Sequence, residues 1–118
     1  MSMRPLARVH VERRGDVAIA AIEGEIDASN AADIGIEIRA TVDNHATALV
    51  VDLTPTRYLD SAGIHLLFAL GEDLRTRQLT LRLAVTPGSS IARMLAITSL
   101  DKALPTYASV EEALEGRF

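Results

Sequence analysis

The sequence predicts an α/β domain built around a small mixed β-sheet that opens with an antiparallel hairpin. Residues 6–11 alternate between two faces, and a turn at residues 13–16 separates them from a second apolar strand at residues 17–22. This arrangement is typical of a hairpin. Two further apolar segments, residues 46–53 and 79–85, alternate with stretches of helical periodicity. Strands that alternate with helices indicate a sheet with partly parallel strands.

The second strand is expected to lead through a short acidic loop into the first helix. Gly24 is predicted to end the strand, which leaves Glu25 and Asp27 in the loop. Ser29 is predicted to cap the helix, because its hydroxyl can accept a hydrogen bond from a free amide of the first turn. Gly35 weakens a helix by ~1 kcal/mol relative to alanine, so we expect it to serve close packing. The apolar residues at helical spacing are Ala31, Ile34, Ile38 and Val42.

A buried strand and a long helix form the centre of the chain. Residues 46–53 contain an apolar run, Leu49-Val50-Val51, that continues past Asp52 to Leu53, as in a strand buried on both faces. Residues 54–56 predict a turn, because Pro55 has no amide hydrogen. Asp60 and Ser61 are typical of a helix start, and the helix is expected to end near Arg77. Its predicted core face comprises Ile64, Leu67, Phe68, Gly71 and Leu74.

The other side of this helix is predicted to be exposed and unusually apolar. At 3.6 residues per turn, the side chains that project from it are Ala62, His65, Leu66 and Ala69. An exposed apolar stripe is typical of a surface that binds another protein. His65 taken alone is expected to be an ordinary surface residue.

The C-terminal third is predicted to contain a strand, a helix and a short edge strand. Residues 79–85 alternate, with the odd-numbered apolar residues facing inward. The outward side chains are expected to be Thr80, Arg82 and Ala84. Ser89 or Ser90 is predicted to cap the next helix. An edge strand is expected within residues 104–107.

Composition narrows the possible functions. A length of 118 residues predicts one domain, 1–118. A net charge of −4 argues against a general nucleic-acid surface. Without cysteine, and with His10, His45 and His65 far apart, the chain lacks the patterns of a zinc site or of thiol chemistry. The N-terminus lacks a signal-peptide stretch and no apolar run approaches the ~20 residues of a membrane span. We therefore expect a cytoplasmic protein that needs no cofactor and binds neither membranes nor nucleic acids directly.

Ser61 has the position of a possible charge switch. The start of a helix offers free amide hydrogens and a partial positive charge, which tolerate a phosphate. A phosphate would add a charge of about −1.5 to −2 beside Asp60. Such a charge would repel an acidic partner surface.

Two motifs and the C-terminal tail resemble those of the STAS-domain anti-sigma factor antagonists. Residues 59–64, Leu-Asp-Ser-Ala-Gly-Ile, preceded by Asp52 and Leu53, resemble the phosphorylation motif of that family. Residues 24–27, Gly-Glu-Ile-Asp, resemble its second motif, an acidic loop. Residues 95–114 resemble the usual ending. The resemblance implies the STAS fold, with a small mixed sheet, an N-terminal hairpin and helices packed mainly on one face.

The resemblance also implies a function. Ser61 would be the phosphoacceptor. The unphosphorylated protein would bind an anti-sigma factor of the histidine-kinase-like ATPase type and so release a sigma factor. The same anti-sigma factor would act as a serine kinase on Ser61, and a serine phosphatase would reverse the reaction. The protein would be a substrate and a switch rather than an enzyme, and a monomer or weak dimer.

The predicted partner surface combines both motifs with the apolar stripe. It comprises Glu25, Asp27, Ser29, Asn30, Asp60, Ser61, Ala62, His65, Leu66 and Ala69. Two positions depart from the family pattern. Ala62 stands where relatives often carry a second hydroxyl residue, and Asn30 stands where a threonine is common.

Other interpretations stay open from the sequence. Ser61 is also consistent with a plain helix cap, and Glu25 and Asp27 with solvated loop carboxylates. The domain is also consistent with a scaffold module of a stress-signalling complex, or with a small-ligand or nucleotide sensor. A serine hydrolase is disfavoured, because Ser61 and His65 lie four residues apart on one helix without a separate acid to orient the imidazole.

Overall fold

The computed structural model describes residues 6–116, which form six strands and five helices. The first five residues, which bear on the signal-peptide expectation, lie outside the described part of the chain. In chain order the elements are β1 Ala7–Arg14, β2 Val17–Ile26, α1 Ala31–Arg39, β3 Ala48–Asp52, β4 Thr56–Leu59, α2 Ser61–Thr76, β5 Thr80–Ala84, α3 Ser90–Ile97, α4 Leu100–Ala103, β6 Thr106–Tyr107 and α5 Val110–Glu115.

The strands form one mixed sheet in the order β1-β2-β3-β5-β6. β1 and β2 make the antiparallel hairpin, while β3, β5 and β6 follow in parallel. The sheet also contains β4, which pairs in parallel with the last residues of β2 beyond the point where β3 ends. The predicted mixed sheet with an N-terminal hairpin is confirmed.

Most of the helices cover one face of the sheet. The main core contains buried side chains from α1, α2, α3 and α4, such as Ile38, Leu67, Leu95 and Leu100. The other face carries a smaller apolar cluster beneath α5: Ile19, Val50, Ala84, Tyr107 and Ala113. Helices packed mainly on one face are therefore confirmed. Ala84, expected to point outward, does leave the main core but is fully buried beneath α5.

The predicted end of β2 was wrong, and strand β4 was not predicted. β2 does not end at Gly24 but runs to Ile26, because β4 pairs with its last residues. Glu25 therefore lies in a strand rather than in a loop. The turn predicted at residues 54–56 is confirmed at Thr54 and Pro55, but Thr56 already belongs to β4. The pairing is irregular between Gly24 and Glu25, where the register with β4 shifts.

The first helix begins one residue later than the proposed serine cap. Asn30 occupies the N-cap position, and its side chain makes no capping hydrogen bond. The Ser29 hydroxyl instead donates to Asp27, so the prediction that Ser29 caps α1 was wrong. Val42 is buried, as its spacing suggested, although the helix ends at Arg39.

Candidate functional site

The turn between β4 and α2 holds Ser61 at the first position of a helix. The Asp60 carboxylate caps this helix, accepting hydrogen bonds from the main-chain N–H of Ala62 at 2.8 Å and of Gly63 at 3.4 Å. Ser61 is exposed, and within residues 6–116 its hydroxyl has no hydrogen-bond partner. The cap thus comes from Asp60, which leaves the Ser61 hydroxyl free.

The parallel pairing of β2 with β4 brings the two motifs together. Ile26 and Leu59 are register partners, and the Asp60 N–H donates to the Ile26 carbonyl at 3.2 Å. The chain therefore leaves both strands at the same edge of the sheet. Asp27 follows β2 there, and Asp60 and Ser61 follow β4. From the sequence, only the family resemblance suggested that the two motifs lie side by side. In the structure, the pairing of β2 with β4 is the physical reason that they do.

Hydrogen bonds hold the acidic segment, residues 25–30, in one conformation. The Asp27 carboxylate accepts from the Ser29 hydroxyl at 2.5 Å and from the Ser29 N–H at 2.8 Å. These bonds hold the pKa of Asp27 below its usual value, with the hydroxyl as the larger cause. The Asn30 side chain closes the turn, donating to the Glu25 carbonyl and accepting from the Asp27 N–H, both at 2.9 Å. Asp27 is therefore a fixed negative charge at neutral pH.

Gly24 of the second motif has a structural role. Its φ is +114°, and a Cβ built there would lie 2.2 Å from the Leu6 carbonyl oxygen. The same carbonyl accepts a hydrogen bond from the Glu25 N–H at 3.0 Å. Only glycine fits where β1 approaches this closely. The residue shapes the β2 end that positions Glu25 and Asp27.

Sequence reasoning missed two side chains next to the motifs. Arg57 and Tyr58 lie on β4, and Tyr58 is the register partner of Glu25. Arg57 is 3.9 Å from the Glu25 carboxylate, and Tyr58 is exposed. The available signal was the pair Thr56 and Tyr58, two residue types that are enriched in strands. It was too short to be recognised as a strand without knowledge of its pairing with β2.

The exposed face of α2 differs from the predicted one by a rotation about the helix axis. His65 and Ala69 are exposed and Ala62 is half-buried. Leu66, however, is only 7% exposed, so the prediction that it projects freely was wrong. It packs against α1 at Gly35, where an added Cβ would lie 2.8 Å from a Leu66 methyl. This contact confirms the expectation that Gly35 serves close packing.

Phe68 shows the opposite error, since it was assigned to the core and is 46% exposed. Both errors have one cause, because α2 packs against α1 as well as the sheet.

Two shallow hollows flank the ridge formed by His65 and Ala69. One, of about 250 Å³, lies between α1 and α2 above Leu66. The other, of about 330 Å³, is lined partly by Phe68.

The arrangement lacks the geometry of a hydrolase. The Asp60 carboxylate is bound to the amides of α2 rather than to His65, so the serine, histidine and aspartate do not form a relay.

Within residues 6–116 no group of three or more His, Asp or Glu side chains is arranged to hold a metal ion. In the same part of the chain, every helix is too short or too polar to cross a membrane.

Comparison with known proteins assigns the family. The chain matches the STAS domain over residues 8–113. It is 33% identical over 116 residues to the anti-sigma-F factor antagonist RsfB of Mycobacterium tuberculosis, a match that covers 98% of this chain and 93% of the relative. The crystal structure of an anti-sigma factor antagonist from Mycobacterium paratuberculosis superposes with a TM-score of 0.83 at 29% identity, covering 93% of this chain and 92% of that one.

A more distant structure shares the fold. SpoIIAA of Bacillus, solved in its phosphorylated form, superposes with a TM-score of 0.65 at 18% identity over 92% of this chain and 97% of that one. The fold and the family match define this chain as a STAS domain. Within that class it belongs to the family of anti-sigma factor antagonists, whose members are regulatory proteins.

Proposed function

We propose that this protein antagonises an anti-sigma factor by binding it, and that phosphorylation of Ser61 ends the complex. The partner would be an anti-sigma factor of the histidine-kinase-like ATPase type. Its capture releases a sigma factor, and its serine-kinase activity later modifies Ser61. A serine phosphatase restores the binding form. The observation that carries the proposal is the exposed Ser61 hydroxyl, unbonded within residues 6–116, at the edge where both motifs leave the sheet.

The local electrostatics explain how a phosphate would act. The Asp60 carboxylate already accepts from the amides of Ala62 and Gly63, which are natural anion donors at the start of a helix. Asp27, held in its ionised form by Ser29, follows the strand that is paired beside this turn. A phosphate of about −1.5 to −2 charge at Ser61 therefore adds its charge next to Asp60 and competes with that carboxylate for these donors. Its charge is left for the partner surface to accommodate, and desolvating it there weakens the complex.

The proposed binding surface extends from the acidic segment to the ridge on α2. It comprises Glu25, Asp27, Ser29, Asn30, Asp60, Ser61, Ala62, His65, Leu66 and Ala69. Leu66 contributes the floor of the hollow between α1 and α2 rather than a projecting side chain. Partner side chains that enter the two hollows beside His65 and Ala69 would supply apolar contact. The carboxylates of Glu25, Asp27 and Asp60 would supply specificity.

In this proposal the chain is a substrate and a switch, and the kinase chemistry belongs to the partner. It acts in the cytoplasm, without a cofactor or direct contact with nucleic acid. Within residues 6–116 no base is hydrogen-bonded to the Ser61 hydroxyl, and His65 is an exposed side chain one helical turn away on the same helix.

The test is a pull-down from native extract with the wild-type protein, Ser61→Ala and Ser61→Asp as baits. The prey and the Ser61 peptide are analysed by mass spectrometry. Capture of a histidine-kinase-like ATPase by wild type and Ser61→Ala, at least ten times weaker capture by Ser61→Asp, and phosphate on wild-type Ser61 support the proposal. Ser90→Asp is the matched control, because Ser90 is also an exposed first residue of a helix.

Two outcomes would assign another function. Recovery of a large signalling assembly with equal efficiency by all baits would indicate a scaffold module. A thermal stabilisation of the wild-type protein by nucleotides, with no protein partner recovered, would indicate a ligand sensor. Equal affinity of Ser61→Ala and Ser61→Asp for a purified anti-sigma factor would contradict the switch.

A further inference from the structure

β1 is an unusually long edge strand. It forms one end of the sheet order and spans Ala7–Arg14. At the opposite end, β6 has only Thr106 and Tyr107. Edge strands expose unpaired main-chain groups and are templates for pairing with another chain. Val11, an apolar residue, is 51% exposed on this strand.

The hydrogen-bond pattern of the hairpin identifies which groups face outward. The Glu25 N–H donates to the Leu6 carbonyl at 3.0 Å. In an antiparallel pair, hydrogen-bonded residues alternate along the strand, so Arg8, His10 and Glu12 direct their main-chain groups toward β2. Val9 and Val11 direct theirs toward the free edge. Together with Ala7 and Arg13, which alternate in the same way, these two valines are the available donors and acceptors for a further strand.

The sequence along this edge is self-complementary in the antiparallel sense. Residues 8–12 read Arg-Val-His-Val-Glu. If a second copy pairs about His10, Arg8 stands opposite Glu12 of that copy, and Glu12 opposite its Arg8. Val9 stands opposite Val11 in the same way. Both kinds of cross-strand pair, opposite charges and β-branched side chains, stabilise a sheet.

We propose that β1 is the interface of a symmetric homodimer, in which two copies pair antiparallel about His10 and join their sheets. Val9 and Val11 exchange N–H to carbonyl hydrogen bonds across the two-fold axis. The two ion pairs between Arg8 and Glu12 set the register. A shift of the centre to Val11 would place Arg8 against Arg14 of the other copy, and this like-charge contact disfavours that register.

Charged residues on an edge strand ordinarily prevent association. Here Arg8 of each copy lies opposite Glu12 of the other across the two-fold axis. These charges therefore attract a second copy, although they disfavour pairing with unrelated strands. The interface is small and relies on ion pairs exposed to solvent, which predicts a weak dimer that salt weakens further. The proposal is independent of the switch, because β4 and the Ser61 turn lie along the opposite edge of β2 from β1.

The first test uses the absence of native cysteine. In the proposed register His10 faces His10, a pair without hydrogen bonds between the two copies and with a Cα separation of about 4.5 Å, which suits a disulfide. His10→Cys should therefore form a covalent dimer under mild oxidation. Glu12→Cys is the matched control, because position 12 faces position 8 and its two copies lie too far apart. Equal crosslinking of both variants would overturn the register.

The second test swaps the charges. Sedimentation of the wild type at micromolar to millimolar concentrations should show a reversible dimer, and a monomer at every concentration would overturn the proposal. Arg8→Glu and Glu12→Arg should each shift the dissociation constant upward by about tenfold, since each places like charges opposite. Mixed together, these two variants should form a heterodimer, and the double variant should recover the dimer. Arg93→Glu, an exposed change on α3, is the control and should leave association unchanged.

If all charge variants, including Arg93→Glu, change association equally, net charge rather than this interface controls it, and the proposal fails. Circular dichroism and the thermal midpoint of each variant confirm that its fold is retained.

Discussion

The N–H of Asp60 donates a 3.2 Å hydrogen bond to the carbonyl of Ile26. This bond continues the parallel pairing of β2 and β4 by one residue, past the register pair of Ile26 and Leu59. The side chains of that pair are buried, with at most 2% exposure. The position of Ser61 relative to Asp27 is therefore determined by the core, not by the surface turn alone. Substitutions in the core beneath this pair can change the candidate site without touching it.

Replacement of Gly24 by alanine should destabilise the protein by at least about 2 kcal/mol. The new Cβ would lie 2.2 Å from the Leu6 carbonyl oxygen, and φ is +114°. Urea denaturation measures the change. Gly88→Ala is the control, because Gly88 also has a positive φ, +76°, but nothing lies within 4 Å of the added Cβ. A Gly24→Ala cost no larger than that of Gly88→Ala would show that the close approach of β1 does not matter.

Loss of the Asp60 cap should lower stability by about 1 kcal/mol in Asp60→Ala. The side-chain oxygen of Asp60 satisfies amides of the first turn of α2, with its shorter bond at 2.8 Å to Ala62. Asp60→Asn retains an acceptor and should stay within a few tenths of a kcal/mol of wild type. Chemical denaturation of the three proteins provides the comparison. If Asn and Ala are equally destabilising, the carboxylate acts through its charge rather than as a cap.

The start of α2 was predictable because its signals are local. Asp60 and Ser61 favour a helix start through hydrogen bonds to amides two or three residues on, and the structure begins α2 at Ser61. Strand β4 was not predictable in this way. It has only four residues, and it exists because β2, more than thirty residues earlier in the chain, pairs with it. The same distant pairing moved Glu25 from the predicted loop into a strand.

Leu66 and Gly24 illustrate a second limit of sequence reasoning. Helical periodicity identifies the faces of α2, but not that α1 covers the side bearing Leu66. Glycine in an apolar segment indicates a break, whereas Gly24 lies within its strand at a point where Leu6 approaches too closely for any side chain. In both cases the deciding contact joins residues distant in sequence, and a pattern within one element does not contain it.

The Ser29 hydroxyl should be responsible for much of the lowered pKa of Asp27. Ser29→Ala removes the larger cause, so the pKa should rise toward its ordinary value of 3.8. Because the folded pKa lies below the unfolded one, this stabilisation is present above pH 3.8 and is lost as the pH falls through the folded pKa. Carboxyl NMR titration measures the shift. Ser29→Thr keeps the hydroxyl and should retain the low pKa; a matching rise there would contradict the assignment.

The contact between Gly35 and Leu66 should make their substitutions non-additive. Leu66→Ala alone should cost about 2–4 kcal/mol, because a buried side chain is lost. Gly35→Ala alone gains ~1 kcal/mol of helix propensity, but its Cβ would lie 2.8 Å from a Leu66 methyl, so repulsion offsets that gain. In the double variant the methyl is absent. The remaining close neighbour of the new Cβ is Arg39 Nη1 at 3.0 Å, the end of a flexible side chain that can move, so most of the propensity gain should appear. A double-mutant cycle by urea denaturation should therefore show a favourable coupling of about 1 kcal/mol. Strict additivity would mean that α1 and α2 shift apart freely, and that the hollow above Leu66 has no fixed floor for a partner.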